Sequence, residues 1–408
     1  MSNPVSNAVP FFKPAIGEAE IAAVVECLRS GWLTTGPRTT QFEAEFAQFV
    51  GAKHAVAVNS CTAGLHLAIA CLGLQPGDGV LVPTWTFAAT AEVVQYLGGI
   101  PILVDCREQN LQIDLVDAQR KLEAAKQGTL PMGKVERVVG IMPVHVGGAM
   151  LDMDQVNQFA KDNGLWVVED AAHSFPASFH SKVQGRELRC GEGTARATCF
   201  SFYANKTITT GEGGMVVTES SELADEIRCL SLHGLSSLAW KRFANSANWD
   251  YQIMKAGFKY NLTDIASAIG LQQLARAEDL RTQRQELAER YYLNLADCDL
   301  LELPENDLSL KHAWHLYPIK MNLEKLKISR NEFCDTLRAN HIGFSVHWRP
   351  LHLHPLYASQ WKWNESDLPT ASSLWPRVVS LPIYAGMDTS LVDVASAAVR
   401  SILSKARK

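Results

Sequence analysis

Between residues 54 and 168, short apolar runs alternate with longer amphipathic stretches, and this alternation restricts the possible fold more than any other feature. Continuous apolar runs suit strands buried on both faces, and the stretches between them suit helices. We predict strands at 54–58, 80–82, 101–104, 138–144 and 165–168. The pattern is typical of a mainly parallel sheet covered by helices, the doubly wound α/β class.

The rest of the chain adds helices on both sides of this region. Two amphipathic helices are predicted in the first fifty residues, and two long ones at 262–275 and 279–295. The segment LPENDLSLK at 303–311 has the composition of a domain boundary, and a smaller α/β pattern follows it. We therefore predict a large domain over residues 1–300 and a small C-terminal α/β domain over residues 301–408.

The composition excludes several classes of function. The 408 residues carry 38 Lys and Arg against 43 Asp and Glu, a net charge of −5, which gives no general attraction to nucleic acid or membranes. The nine cysteines form no CxxC pair, as expected for free thiols in a reducing compartment. The N-terminus lacks a signal pattern and no apolar run has the length of a membrane span. We expect a cytoplasmic protein without a metal site.

The stretch ATCFSFYANKTITTGEGGMVVT at 197–218 places Lys206 in a polar, glycine-rich segment between two apolar runs. A lysine held between buried strands loses solvation, so its pKa falls and its neutral amine can form a Schiff base. The alternative is an ordinary solvated loop lysine. Ser201, at the end of the first run, could offer a hydroxyl to a phosphate.

Polar residues also follow the predicted strands, where ligands collect in parallel sheets. Cys61 and Thr62 begin a predicted helix, whose exposed N–H groups suit an anion such as phosphate, although an ordinary helix cap explains them equally well. Asp170 ends the strand LWVVED and could either cap a helix or accept a hydrogen bond from a protonated ring nitrogen. His173 could support Asp170 or be a polar core residue.

Trp85 follows a strand that ends in proline, and it could stack on a planar ring or be a core aromatic. A phosphate cradle, a stacking side chain, a strand-end aspartate and a later lysine are the parts needed to hold pyridoxal phosphate. Thr62, Trp85, Asp170 and Lys206 occur in that order along the chain.

With these residues in place, the chain resembles the pyridoxal-phosphate-dependent nucleotide-sugar aminotransferases of the DegT/StrS family, within fold type I. The matching motifs are SGWLTTGP at 30–37, VEDAAHSF at 168–175, SF-x-x-x-K-x-x-x-x-x-E-GG at 201–214 and GFKYNLTDIASAIGLQQL at 257–274. The resemblance extends from Phe11 to the C-terminal helix.

The resemblance implies a role for each of these residues. Lys206 would bind the cofactor covalently, Asp170 would pair with the pyridinium nitrogen, and Trp85 would stack on the ring. The phosphate ligands would be Ser201 and the backbone at Cys61 and Thr62. Asn261 would reach the phosphate of the neighbouring subunit, which implies a homodimer with shared active sites.

The resemblance also suggests the reaction. A related branch that dehydrates sugars has histidine in place of the lysine, so Lys206 favours transamination. The segments HAWHLYPI at 312–319 and GFSVHWRPLHLHPLY at 343–357 are most similar to enzymes that aminate C4 of UDP-linked keto-sugars. His347 would then face the substrate, and the alternative is a strand-end surface histidine. Independently of the resemblance, Thr35 lies in the Gly/Pro/Thr stretch SGWLTTGPRT, which is either a substrate loop or a plain helix connection.

We therefore expect transfer of an amino group from an amino acid, glutamate, to a nucleotide-linked keto-sugar in surface-polysaccharide or amino-sugar biosynthesis. Two alternatives remain open at this point: amination at C3, and a regulator that binds a sugar nucleotide without turnover. The intact pair of Lys206 and Asp170 argues against a regulator, because simple binding needs neither a proton shuttle nor an electron sink.

Overall fold

The computed structural model describes residues 8–235, 252–305 and 310–408. Its strands are β1 (His54–Val58), β2 (Gly79–Pro83), β3 (Ile100–Val104), β4 (Val138–Ile141), β5 (Trp166–Asp170), β6 (Ser178–Ser181), β7 (Arg186–Arg189), β8 (Ala197–Ser201), β9 (Gly214–Thr218), β10 (Leu301–Glu302), β11 (Tyr317–Met321) and β12 (Val378–Leu381). The α-helices are α1 (Glu18–Ser30), α2 (Pro37–Val50), α3 (Cys61–Cys71), α4 (Ala89–Tyr96), α5 (Leu115–Gln127), α6 (Met153–Asn163), α7 (Ser221–Ser231), α8 (Asp264–Ala275), α9 (Ala277–Leu295), α10 (Arg330–Ala339), α11 (Pro355–Gln360), α12 (Pro369–Leu374) and α13 (Thr389–Lys405).

Seven strands form the central sheet, in the order β1-β9-β8-β5-β4-β2-β3. The strands from β3 to β8 in this order pair in parallel, which confirms the predicted mainly parallel sheet. β9 is antiparallel to both of its neighbours, β1 and β8. The segment between β8 and β9 contains no helix, so it joins them without the crossover connection that parallel neighbours require.

This topology brings several strand ends to one edge of the sheet. Gly214, the first residue of β9, pairs with Val58 at the end of β1 and with Ser201 at the end of β8. Asp170 ends β5, the parallel neighbour of β8. The predicted ligand-binding residues after β1, β5 and β8 therefore meet at this edge.

A second, antiparallel sheet consists of β10, β11 and β12. Its apolar core includes Phe333 of α10 and Val399 of α13, together with Leu287 and Tyr291 of α9. The C-terminal core therefore includes residues from the second half of α9, a helix that ends before residue 300. The predicted division at residue 300 remains a prediction, and the predicted boundary at 303–311 includes residues 306–309, which lie outside the described residues.

The N-terminal helices α1 and α2 pack on α8, but the described residues leave an apolar face of α1 uncovered. Phe42 and Phe46 of α2 are fully buried, as their spacing predicts. On α1 the buried residues are Glu20, Ala23 and Cys27, whereas Ile21 and Leu28 are 50% and 51% exposed. The apolar face of α1 therefore points away from the core of this chain.

The nine cysteines are free thiols. Among the described helices, none combines the length and the apolar character needed to cross a bilayer.

Candidate active site

A cavity of about 630 Å³ lies at the edge of the sheet where the strand ends meet. Its walls come from the start of α3, the segment before α4, the ends of β5 and β8, the segment between β8 and β9, and two C-terminal segments. Among the predicted site residues, the cavity lining includes Cys61, Thr62, Asp170, His173, Ser201, Lys206 and His347.

Lys206 is half-buried in the wall of this cavity, so the alternative of a solvated loop lysine is wrong. Its Nζ lies 3.3 Å from Nε2 of His315. Burial lowers the pKa of Lys206 to about 8, against the opposing influence of Cys61 and Asp170. This shift increases the neutral fraction of the amine near physiological pH, and the neutral form is the one that acts as a nucleophile or a proton acceptor.

Asp170 is 5% exposed, and its carboxylate accepts hydrogen bonds from Thr90 Oγ1 at 2.7 Å and from the Ala172 N–H at 3.1 Å. Both donors are neutral. Burial raises the pKa of Asp170 above its ordinary value because the ionised form is poorly solvated. No α-helix begins directly after this residue, so helix capping does not explain its position. A cationic N–H donor in the cavity would stabilise the carboxylate.

The start of α3 forms the second polar wall. Ser60 is the N-cap, and its Oγ accepts a hydrogen bond from the Ala63 N–H at 3.1 Å. Cys61 and Thr62 therefore belong to the first turn, where free N–H groups attract anions. Gly214 allows this turn to approach β9, because a Cβ at residue 214 would lie 2.7 Å from the Cys61 nitrogen. Burial raises the pKa of the Cys61 thiol, so it stays neutral.

The prediction that Trp85 presents a stacking face to the cavity is wrong. Trp85 is fully buried in an apolar cluster that includes Leu374 and Val378, and its Nε1 donates to the His347 carbonyl at 3.1 Å. The alternative of a core aromatic is what the structure shows. Phe87, two residues later, lines the cavity and is 62% exposed.

His173 and His347 both line the cavity. Nδ1 of His173 accepts the Gly147 N–H at 3.3 Å, and the ring stacks on Trp348 with 4.9 Å between centroids. His347 Nδ1 lies 3.0 Å from Ser380 Oγ. Burial lowers the pKa of His173 well below its ordinary value and that of His347 to about 4, so both rings are neutral. His347 is therefore not a surface histidine.

Thr35 and Asn261 do not line this cavity. The Thr35 hydroxyl donates to the Leu262 carbonyl and accepts from Asn261 Nδ2 at 2.6 Å, and the contact of Thr35 with substrate stays a prediction. Asn261 Oδ1 accepts from Lys259 Nζ at 2.6 Å. The N-cap of α8 is Thr263, which excludes a capping role for Asn261.

Four residues at the site were not predicted from the sequence: Thr90, Phe87, Tyr203 and His315. Phe87 and Tyr203 are exposed in the structure, but no feature of the sequence distinguishes them from buried aromatics. For His315 the only signal was a histidine two residues before β11, in the segment HAWHLYPI. Thr90 lies within α4, and no feature of the sequence marked it as a site residue.

The sequence matches one protein family over nearly its whole length. The family model described as the DegT/DnrJ/EryC1/StrS aminotransferase family matches residues 14–400. Spore coat polysaccharide biosynthesis protein SpsC of Bacillus subtilis is 42% identical over 402 residues, which cover 98% of each chain.

Solved structures agree over the same length. Spr1654 from Streptococcus pneumoniae, solved in its PLP form, superposes with a TM-score of 0.85 at 27% identity, covering 98% of this chain and 99% of that one. Helicobacter pylori PseC, an aminotransferase involved in pseudoaminic acid biosynthesis, gives a TM-score of 0.86 at 25% identity, with 98% and 100% coverage.

Proposed function

Since the chain belongs to the DegT/DnrJ/EryC1/StrS aminotransferase family, whose members are pyridoxal-phosphate-dependent sugar aminotransferases of fold type I, we propose that it transfers an amino group from L-glutamate to C4 of a nucleotide-linked keto-sugar. The product would enter polysaccharide or amino-sugar biosynthesis. The observation that carries this proposal is the partly desolvated amine of Lys206 beside the buried carboxylate of Asp170 in one cavity.

The residues of the cavity fit pyridoxal phosphate. Asp170 is a buried carboxylate whose hydrogen-bond donors, Thr90 and Ala172, are neutral, so a protonated ring nitrogen would supply a cationic donor in direct contact. The first turn of α3, with Cys61, Thr62 and the nearby Ser201 hydroxyl, offers donors for the phosphate. When bound, the cofactor supplies an electron sink for negative charge that develops at the reacting carbon.

The protein's own groups then have distinct tasks. Lys206 would hold the cofactor covalently at rest and, once released, accept and return a proton at Nζ. Asp170 would keep the ring nitrogen protonated through an ionic hydrogen bond. His173 would support this wall as a neutral ring packed on Trp348, and His347 would contact the substrate from the C-terminal segment.

We propose that Phe87, and not Trp85, packs against the cofactor ring. Phe87→Ala should weaken cofactor binding roughly 3- to 10-fold, since aromatic stacking contributes about 0.5–1.5 kcal/mol, without lowering the melting temperature. Trp85→Ala should instead destabilise the fold by about 3–5 kcal/mol, because it empties a buried site. Cofactor titration and thermal unfolding of both variants separate the two effects. Unchanged cofactor affinity in Phe87→Ala would assign that residue to another contact.

The direct test of the reaction is a panel of 4-keto and 3-keto nucleotide sugars offered to the purified enzyme with glutamate. We expect 2-oxoglutarate release with a 4-keto sugar and an amino group at C4, located by NMR of the product. Turnover restricted to 3-keto sugars would move the reaction to C3. Tight binding of a sugar nucleotide without turnover would replace the proposal with the regulatory alternative.

We also propose a homodimer whose active sites are shared between subunits. The uncovered apolar face of α1, with Ile21 and Leu28, supports a partner of the same kind, because an isologous interface pairs a surface with its own copy. At the cavity, the aromatic side chains of Phe87 and Tyr203 are also exposed, so a partner subunit can reach them. In this arrangement Asn261, with Thr35 behind it, contacts the phosphate in the partner's cavity.

Mixing two inactive variants tests this sharing. Lys206→Ala removes the amine, and Asn261→Asp places a carboxylate against the phosphate. In a mixed dimer one site would contain both changes and the other neither, so part of the activity should return. Subunit exchange, checked with differently tagged chains, is the control. Demonstrated exchange without recovered activity would show that Asn261 does not act across the interface.

A further inference from the structure

The side chain of His315 contacts the amine of Lys206. The ring is 4% exposed, and its Nε2 lies 3.3 Å from Lys206 Nζ. Its other nitrogen, Nδ1, is buried and has no hydrogen-bond partner among the described residues. If Nε2 accepts an N–H from the lysine, the proton of the neutral ring is on Nδ1. A buried polar atom without a partner is unfavourable and often marks a functional site.

The backbone next to His315 is held in an uncommon conformation. Trp314 has φ 45°, a left-handed value that is rare for a bulky residue. Its N–H donates to His312 Nδ1 at 2.7 Å, and its indole Nε1 donates to Gln285 Oε1 at 2.7 Å. Such conformations persist when neighbouring contacts determine them, and they are concentrated at functional sites.

Arg284 connects the segments that contain His315 and Lys206. This guanidinium is 3% exposed and donates to the carbonyls of Trp314 at 3.2 Å, Ile383 at 3.0 Å and Asn205 at 3.5 Å. Trp314 directly precedes His315, and Asn205 directly precedes Lys206. One buried side chain therefore fixes the spacing of the two segments.

A glycine pair fixes His315 from the other side. Gly147 and Gly148 accept backbone hydrogen bonds from Leu316 at 3.0 Å and Ala313 at 2.9 Å. Gly148 has φ +105°, and a Cβ there would lie 3.0 Å from the His315 nitrogen. The close approach brings the ring centroid of His315 within 4.1 Å of that of His173.

The charged and titratable groups around this pair determine what His315 can do. Cys61 and Asp170 favour the charged form of Lys206, whereas Arg284 opposes it. Burial, aided by Lys206, His173, Arg284 and His347, lowers the pKa of His315 well below its ordinary value. The ring is therefore neutral and does not store the proton of the lysine.

We propose that His315 is a positioning residue for Lys206: its neutral Nε2 accepts an N–H from the amine and holds Nζ at the cavity wall. The inference rests on the proposed function, in which Lys206 is the reactive amine. An acceptor of this kind also stabilises the ammonium form and so limits how far burial lowers the pKa of the lysine.

Two variants separate this role from simple packing. His315→Leu fills the space but accepts no hydrogen bond, whereas His315→Gln can place an amide oxygen near the position of Nε2. In the cofactor-free full-length protein, we measure acetylation of Lys206 against pH by mass spectrometry. The midpoint should fall by about one pH unit in His315→Leu, because the ammonium loses an acceptor, and should stay near the parent value in His315→Gln.

The loaded enzyme gives a second readout. The single-turnover rate with glutamate should fall about tenfold or more in His315→Leu and recover substantially in His315→Gln. His352→Leu is the matched control, since His352 is a buried histidine held by Thr84 and Ser372 and should leave the acetylation midpoint of Lys206 unchanged. Circular dichroism and thermal unfolding verify that each variant is folded.

An acetylation midpoint that is the same in His315→Leu, His315→Gln and the parent would overturn the proposal. So would an equal loss of rate in the leucine and glutamine variants, since it would indicate packing alone. The acetylation experiment needs no turnover. If the parent fails to aminate any sugar while the midpoint still shifts, the proposed function fails and the role of His315 stands.

Discussion

Replacing Lys206 with alanine is expected to reduce turnover by about 10³-fold or more, because one side chain supplies both the covalent anchor and the proton carrier. The measurement is the rate of 2-oxoglutarate formation with a sugar substrate found in the panel. Lys182→Ala, at an exposed position, is the control and should match the parent. More than trace activity in Lys206→Ala without an added amine would contradict the assignment.

The Asp170→Asn variant is expected to lose about 10²-fold or more in the single-turnover rate with glutamate. A neutral amide cannot keep the ring nitrogen protonated, so the cofactor becomes a poorer electron sink. Stopped-flow absorbance of the bound cofactor measures this rate. Asp162→Asn, on the exposed surface of α6, is the control. A rate equal to that of the parent would return Asp170 to a structural role.

Although Asp170→Asn is expected to lower activity, we do not expect it to lower the stability of the cofactor-free protein. Burial raises the pKa of Asp170 in the fold above its unfolded value, so the ionised carboxylate destabilises the cofactor-free protein as pH rises through and above the unfolded pKa. Asp170→Asn removes that charge. The melting temperature of the cofactor-free variant at neutral pH should therefore equal or exceed that of the parent. A lower value would mean that the charge itself holds the fold together.

Much of the sheet could be predicted from the sequence because its strands are buried on both faces. Such strands consist of continuous apolar residues, which are easy to recognise. The observed β1 matches the predicted range, and β3 differs from it by one residue. The direction of β9 could not be predicted, because an apolar run does not indicate which way a strand runs. The β6–β7 hairpin was also missed, since its residues are mostly polar or exposed and lack an apolar pattern.

The two aromatic residues after β2 show why part of the site could not be predicted from the sequence. Trp85 and Phe87 lie two residues apart, and nothing local determines which of them is covered. Leu374 and Val378 cover Trp85 from the C-terminal part of the chain, a contact that only the tertiary fold creates. His315 and Lys206 are likewise brought together by segments far apart in sequence, through Arg284. Asp170 was predictable because a strand end fixes its position.

The central claim is that Lys206 holds the cofactor, and borohydride reduction of the loaded enzyme tests it most directly. Reduction makes the bond between the cofactor and its amine permanent, and peptide mass spectrometry then identifies the modified lysine. We predict that a single peptide carries the added mass and that the modified residue is Lys206. Attachment to another lysine, or no attachment in enzyme that turns over, would contradict the account.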